Sequence, residues 1–150
     1  MEARRLRRAG PPAAFLAAAI FCLTSGLADA AKPRRVLRVV DGDTLVTRED
    51  GSVRLLGLDA PELGHRARCP REDALAREAR DWVLRRTRGG VLLREATDDR
   101  GRRQPDRDKY GRLLRKAFAP DGGDLAAELI AMDLAVPYWG RGPRKDWCKP

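Results

Sequence analysis

The chain has 150 residues and a formal net charge of +9, and 35% of its residues are Asp, Glu, Lys or Arg. This length fits one small domain rather than several, and the single histidine, with no paired C-x-x-C spacing, argues against a zinc site. The positive charge favours a polyanionic partner such as nucleic acid, although a basic, well-solvated surface would give the same charge.

Residues 1–30 have the features of a secretory signal peptide. Four arginines precede an apolar run over residues 11–27, and an Ala-Asp-Ala cleavage site follows at residues 28–30. A retained membrane anchor is the alternative, because the apolar run is near the lower length limit for crossing a bilayer. We predict cleavage, a mature domain of residues 31–150, and a secreted or periplasmic protein with no membrane partner. The mature part keeps a charge of +7, because the removed segment holds four arginines and two acids.

The first part of the mature chain has the pattern of a three-stranded antiparallel meander. The predicted strands cover residues 35–40, 44–48 and 52–58. If the second turn is centred between Asp50 and Gly51, hairpin pairing places Asp43 opposite Leu58 and one position from Asp59. We therefore expect the carboxylates of Asp43 and Asp59 to lie close together.

The pattern then becomes helical over residues 70–88, where Leu75, Ala79, Trp82 and Val83 share one apolar face. Two further strands are predicted over residues 91–94 and 113–118, and Asp124 can cap a short second helix. The predicted fold class is α+β, mainly β: a five-stranded oligonucleotide-binding (OB-fold) barrel with two covering helices.

Two cysteines remain after signal removal, Cys69 and Cys148. In an oxidising compartment a disulfide between them is the economical prediction. The alternative is two free thiols that do not meet.

Three motifs carry the chemistry of the chain, at residues 41–44, 54–62 and 108–112. They supply the carboxylates and guanidinium groups needed to hold a hard divalent cation against a phosphodiester, activate a water and neutralise the resulting charge. Each motif has a simpler interpretation, since aspartates often stabilise turns and arginines often pair with surface carboxylates. The order of all three together favours the functional interpretation.

Over roughly residues 35–138 these motifs resemble the staphylococcal-nuclease-like, or thermonuclease, family. In that family an OB-fold barrel binds calcium, and cleavage of DNA or RNA leaves a 3′-phosphate. The resemblance implies these roles: Asp43, Asp59 and the carbonyl of Ala60 as calcium ligands, Glu62 as general base or water-positioning group, Arg54 and Arg112 on the phosphate, and Tyr110 and Tyr138 as nucleotide contacts.

Two more acids are assigned supporting roles: Asp41 beside the metal ligands, and Asp108 as the group that orients the loop of Arg112. We expect a monomeric, calcium-dependent nuclease acting on DNA and RNA. The alternative is a non-catalytic OB-fold module that binds nucleic acid. The chain also ends without the third helix of well-known family members, and we expect the Cys69–Cys148 bridge to hold the shortened tail beside the first helix.

Overall fold

The computed structural model describes residues 32–149, and the predicted signal peptide at residues 1–30 lies outside the described residues. No helix within the described range is long and apolar enough to cross a membrane. The elements in chain order are β1 Val36–Asp41, β2 Thr44–Thr47, β3 Gly51–Leu55, β4 Gly57–Asp59, a short 3-10 helix Gly64–Arg66, α1 Pro70–Arg86, β5 Leu92–Arg94, β6 Leu113–Phe118, α2 Leu125–Ala131 and β7 Val136–Tyr138.

Five strands form one sheet in the order β1-β2-β3-β6-β5, and β4 pairs with β7 in a separate two-stranded sheet. All these pairs are antiparallel except β3 with β6. The segments that precede β1 and β5 meet at one isolated bridge, in which Arg34 and Val91 exchange hydrogen bonds of 2.7 and 3.0 Å. The mainly-β class with five sheet strands and two helices is confirmed, whereas no continuous ladder closes a barrel within residues 32–149.

The predicted strand over residues 52–58 is divided at Leu56. The chain turns at Gly57, whose φ of 89° is in the region that glycine adopts without steric cost. The second half, β4, leaves the main sheet and pairs with β7, which brings Tyr138 beside Gly57 and Val136 beside Asp59. The β7 strand was not predicted, because it has only three residues and one of them is a proline, which weakens any strand pattern.

The predicted pairing of Asp43 with Leu58 is wrong. Thr44 pairs with Arg54, and the N–H of Leu55 donates to the carbonyl of Asp43 at 2.7 Å. The observed register of β2 and β3 differs from the predicted one because the turn between them is closer to β2. The Thr47 hydroxyl accepts from the N–H of Asp50 at 3.0 Å, so the turn closes before Gly51.

Helix α1 begins and ends close to the prediction. Its first turn carries acids and its last turn carries Arg85 and Arg86, as the helix dipole favours. Ala79 and Val83 are buried in the core, and Leu75 and Trp82 pack against it. The helix ends at Arg86 rather than residue 88.

Helix α2 confirms the predicted cap, since the Asp124 carboxylate accepts from the N–H groups of Ala126 and Ala127. The predicted disulfide between Cys69 and Cys148 is present, with the two Cα atoms 6.0 Å apart. Since Cys69 is the N-cap of α1, the bridge ties the end of the chain to the start of that helix, as expected.

Candidate active site

The turn between β1 and β2 presents Asp41 and Asp43 to the interior because Gly42 packs closely on the rest of the fold. A Cβ atom at position 42 would lie 2.8 Å from the Cβ of Ala60 and 2.9 Å from the Cβ of Ala79. The Asp43 carboxylate in turn accepts from the N–H of Ala60 at 3.3 Å. The predicted metal ligands Asp43 and Ala60 are therefore neighbours, although 17 positions separate them.

Arg54 joins the two predicted carboxylate ligands. The side chains of Asp43 and Asp59 are only 3% and 1% exposed. Arg54 forms an ion pair with Asp43, and its Nη2 lies 3.8 Å from Asp59 Oδ1. The two carboxylates thus share one guanidinium group despite the change of strand register.

Glu62 lies in the loop after β4, where buried Glu72 of α1 holds the backbone. The N–H groups of Glu62 and Arg68 donate to the Glu72 carboxylate at 3.4 and 2.7 Å. Burial alone would raise the pKa of Glu72, but these hydrogen bonds outweigh it and the pKa is lowered. Among the described residues the Oε2 atom of Glu62 is buried and accepts no hydrogen bond, although Arg66 Nε lies 3.3 Å away. The Oε2 atom of Glu62 therefore has an ion-pair partner in Arg66 but keeps unused capacity to accept a hydrogen bond.

Arg112 is oriented by Asp108, as expected. The Asp108 carboxylate accepts from Arg112 Nε at 2.7 Å and from the Arg112 backbone N–H at 3.0 Å. Burial opposes ionisation of Asp108, but these hydrogen bonds are stronger and its pKa is lowered. Arg112 Nη1 also lies 3.5 Å from the Thr44 hydroxyl, which donates to Asp43 at 2.9 Å. Arg112 is thereby linked through Thr44 to Asp43 in the turn between β1 and β2.

A cleft of about 770 Å³ brings most of the predicted residues together. Its volume lies in the range of small-molecule and cofactor sites. Its lining includes Asp41, Arg54, Glu62, Asp108, Tyr110, Arg112 and Tyr138. Asp59 and Ala60 instead line a neighbouring cavity of about 230 Å³, to which Glu62 also contributes.

The two tyrosines differ in their surroundings. Tyr110 is 71% exposed, and the cationic groups of Lys109 and Arg112 lie 5.1 and 5.4 Å from its ring centre. Tyr138 is less exposed, and its hydroxyl donates to the carbonyl of Gly142 at 3.3 Å. Both rings border the same cleft.

Two arginines of the site were missed in the sequence, Arg66 and Arg144. Arg66 donates to Asp41 at 2.8 Å. Arg144 donates through Nε to Asp59 at 2.6 Å and through Nη1 to Glu62 at 2.8 Å. A signal for each was available: Arg66 comes four positions after Glu62, and Arg144 comes four before Cys148, whose predicted bridge brings that segment to the site.

The charged groups of the site are close together, and the carboxylates of Asp41, Asp43 and Asp59 are buried. Burial and the charge of Asp43 raise the pKa of Asp41 to about 6. Burial also raises the pKa of Asp59, although Arg144 and Arg54 oppose this shift. The free energy cost of burying Asp59 is therefore only partly offset by its two arginine partners.

The oxygen donors fit a hard divalent cation held by few protein ligands. Within residues 32–149 no group of three or more His, Cys, Asp or Glu side chains is placed to hold a metal ion. Asp43 and Asp59 instead provide two carboxylates, and the buried Oε2 of Glu62 has no hydrogen-bond donor. Hard divalent cations take oxygen ligands and complete their coordination with water, so Asp43 and Asp59 are the side chains that could hold one.

The sequence profile of the family described as staphylococcal nuclease homologue matches residues 52–146. Two curated relatives, one from Escherichia coli O157:H7 and one from Escherichia coli, each carry the name uncharacterized endonuclease. Each is 28% identical over 107 residues, and the alignment covers 69% of this chain and 60% of the relative. Since the profile spans more than half of the sequence, the chain belongs to the staphylococcal nuclease homologue family.

Proposed function

We propose that this protein is a secreted, calcium-dependent nuclease that hydrolyses phosphodiester bonds of DNA and RNA and leaves 3′-phosphate ends. The observation that carries the proposal is a cleft lined by Glu62, Arg54 and Arg112, in which Arg54 pairs with buried Asp43 and lies 3.8 Å from Asp59 of the neighbouring cavity. Family membership and the names of the two relatives support the nuclease part of the proposal.

In the proposed reaction Glu62 accepts a proton from a water through its Oε2 atom, which accepts no hydrogen bond from the described part of the protein. The water oxygen attacks phosphorus as the bond from phosphorus to the 5′-oxygen breaks, and that oxygen takes a proton from solvent. The products are a 3′-phosphate and a free 5′-hydroxyl. The same hydrogen bond from the water to Glu62 holds the water in line with the bond that breaks, which is a second part of the role of Glu62.

Arg54 and Arg112 neutralise the charge that develops on the phosphate oxygens. A guanidinium has five N–H donors in a planar fork, so each arginine can keep its carboxylate partner and still donate to a phosphate. Asp43, Asp59 and the carbonyl of Ala60 would hold calcium, which when bound supplies positive charge to the scissile phosphate. Asp41 and Asp108 keep these groups in place through Asp43 and Arg112.

Nucleic acid as substrate is supported by the charge of the chain and by the two tyrosines. Tyr110 and Tyr138 offer aromatic faces for bases at the cleft. An open, largely exposed ring such as Tyr110 suits an unpaired strand better than a rigid duplex. We further propose a monomeric OB-type barrel and export by the signal peptide at residues 1–30.

One observation favours a second function, a module that binds nucleic acid without cutting it. Arg144 already pairs with both Asp59 and Glu62, and neutralised acids would be poor metal ligands and bases. A binding module would retain affinity for a labelled oligonucleotide while cutting none of it.

Digestion of a labelled single-stranded oligonucleotide separates the two functions. We expect calcium-dependent cleavage that a chelator abolishes, with 3′-phosphate ends. Glu62→Gln should lower the rate about 10²- to 10⁴-fold, as loss of a general base does. Glu78→Gln, a matched change at an exposed glutamate of α1, should keep the wild-type rate. Equal rates in the two variants, or cleavage that resists chelation, would refute the mechanism.

A further inference from the structure

The last residues of the chain form an anchored segment across the site. We call residues 139–149 the C-terminal strap, and none of them belongs to a helix or strand. At one end Arg141 donates to the buried Asp98 carboxylate at 2.8 Å. At the other end Cys148 is bonded to Cys69. The strap is therefore held to the fold on both sides of Arg144.

Backbone contacts hold the strap between these anchors. Arg68 donates to the carbonyl of Lys145 at 3.0 Å, and Arg71 donates to the carbonyl of Lys149 at 2.5 Å. Trp147 of the strap is also buried. These contacts fix the backbone of the strap around Arg144, while the side chain of Arg144 stays partly exposed.

Arg144 is placed where a positive charge is needed. Asp59 is almost fully buried, and Arg54 reaches it only at 3.8 Å because Arg54 is engaged by Asp43. Arg144 supplies the closer contact to Asp59 and at the same time pairs with Glu62. Its own side chain is 43% exposed and borders both the cleft and the smaller cavity. The guanidinium thus has space to move without leaving the site.

We propose that Arg144 is a built-in cation that occupies Asp59 and Glu62 while the divalent ion is absent and gives way when that ion binds. The inference rests on the proposed function, because it takes Asp59 as a calcium ligand. A calcium ion held by Asp59 would repel the Arg144 guanidinium strongly. The Arg54 side chain is only 16% exposed and stays on Asp43, whereas the Arg144 side chain is 43% exposed and can withdraw. Arg144 therefore lowers the calcium affinity of the free protein and keeps Asp59 and Glu62 paired until metal binds.

The strap determines where the displaced guanidinium goes. Its anchors at Asp98 and Cys69 do not involve the acids of the site, so they persist when Arg144 releases Asp59. The side chain then remains at the wall of the cleft, where a phosphate of the bound strand can accept its hydrogen bonds. Metal binding and substrate binding are coupled through this one residue.

Isothermal titration of the disulfide-bonded protein with calcium chloride tests the proposal without measuring activity. Arg144→Gln should bind calcium about tenfold more tightly than wild type, which lies within the usual range of coupling between sites. Lys149→Gln removes the same charge from an exposed position of the strap and should leave the affinity within about twofold. Arg144→Lys keeps the charge but not the two-sided hydrogen bonding, so it should give an intermediate affinity.

Thermal unfolding supplies the second measurement. Without calcium, Arg144→Gln should melt below Lys149→Gln, because Asp59 loses its close partner. At saturating calcium the difference should shrink, because the ion then neutralises the same carboxylates. A merely structural arginine would lower the melting temperature equally in both conditions and would not tighten calcium binding.

The outcomes separate this inference from the proposed function. Unchanged or weaker calcium affinity in Arg144→Gln, in a protein whose wild type binds calcium and cuts DNA, overturns the inference alone. A wild-type protein that neither binds calcium nor cuts DNA overturns both. If Arg144→Gln does not fold, the affinity of Arg144→Lys decides, and a value no tighter than wild type counts against the proposal.

Discussion

Loss of the disulfide should destabilise the protein strongly. The bridge joins residues 79 positions apart, so the reduced chain regains the freedom of a long loop. On the chain-entropy model a loop of this length corresponds to about 4.5 kcal/mol of unfolding free energy. For a domain of this size that free energy amounts to roughly 10 to 20 °C in melting temperature. The double variant Cys69→Ser, Cys148→Ser should show this shift.

Tryptophan fluorescence during urea or thermal unfolding measures the effect, because Trp147 lies one position from the bridge. Wild type should be compared with and without reductant, and reductant should have no effect on the double variant. A wild-type midpoint that reductant leaves unchanged would refute the reasoning. So would mass spectrometry of the non-reduced protein that finds both thiols free.

Three further predictions follow from single contacts. Gly42→Ala should cost about 1 to 3 kcal/mol of stability in urea unfolding and should reduce nuclease activity, because the added methyl group overlaps two side chains. Unchanged stability would show that the turn can shift. Arg112→Lys should lower the cleavage rate about 10²- to 10³-fold. Arg85→Lys, the same change at an exposed position of α1, should leave the rate unchanged. Equal rates in the two variants would remove Arg112 from the mechanism. Burial would raise the pKa of Asp98, but hydrogen bonds led by the backbone N–H of Arg102 lower it well below 3.8. The stability it contributes is thus complete above pH 4 and lost as the solution becomes more acidic, so Asp98→Asn should lower the melting temperature at pH 7 and progressively less below pH 4. A difference independent of pH would contradict this account.

Regular elements with a clear pattern were predictable from the sequence. The apolar face of α1 and the cap at Asp124 rest on local rules, and the structure agrees with both. The register of β2 with β3 was not predictable, because it depends on a hydrogen bond between Thr47 and Asp50 that moves the turn. The pairing of β4 with β7 depends on contacts between distant segments of the chain. Each strand has only three residues, so neither has a sequence pattern that predicts this pairing.

In the candidate site, too, residues in local motifs were predictable and a residue placed by distant contacts was not. Motif order predicted site roles for Asp43, Asp59, Glu62, Arg54 and Arg112, because each lies in a short stretch with a recognisable pattern. Arg144 belongs to no motif and reaches the acids only through the fold of the tail. The predicted disulfide contained the necessary distance information, but the sequence alone did not show which side chain of that tail would face inward.

The close packing of Gly42 on α1 has a practical consequence for engineering. The glycine rests against Ala79, a core position of the helix, so the same few atoms serve both packing and placement of the acids. Library variants with larger side chains on the buried face of α1 would push this turn outward and displace Asp43 with it. A larger side chain at position 79 would therefore disturb the placement of Asp43, and this position should be kept constant in such libraries.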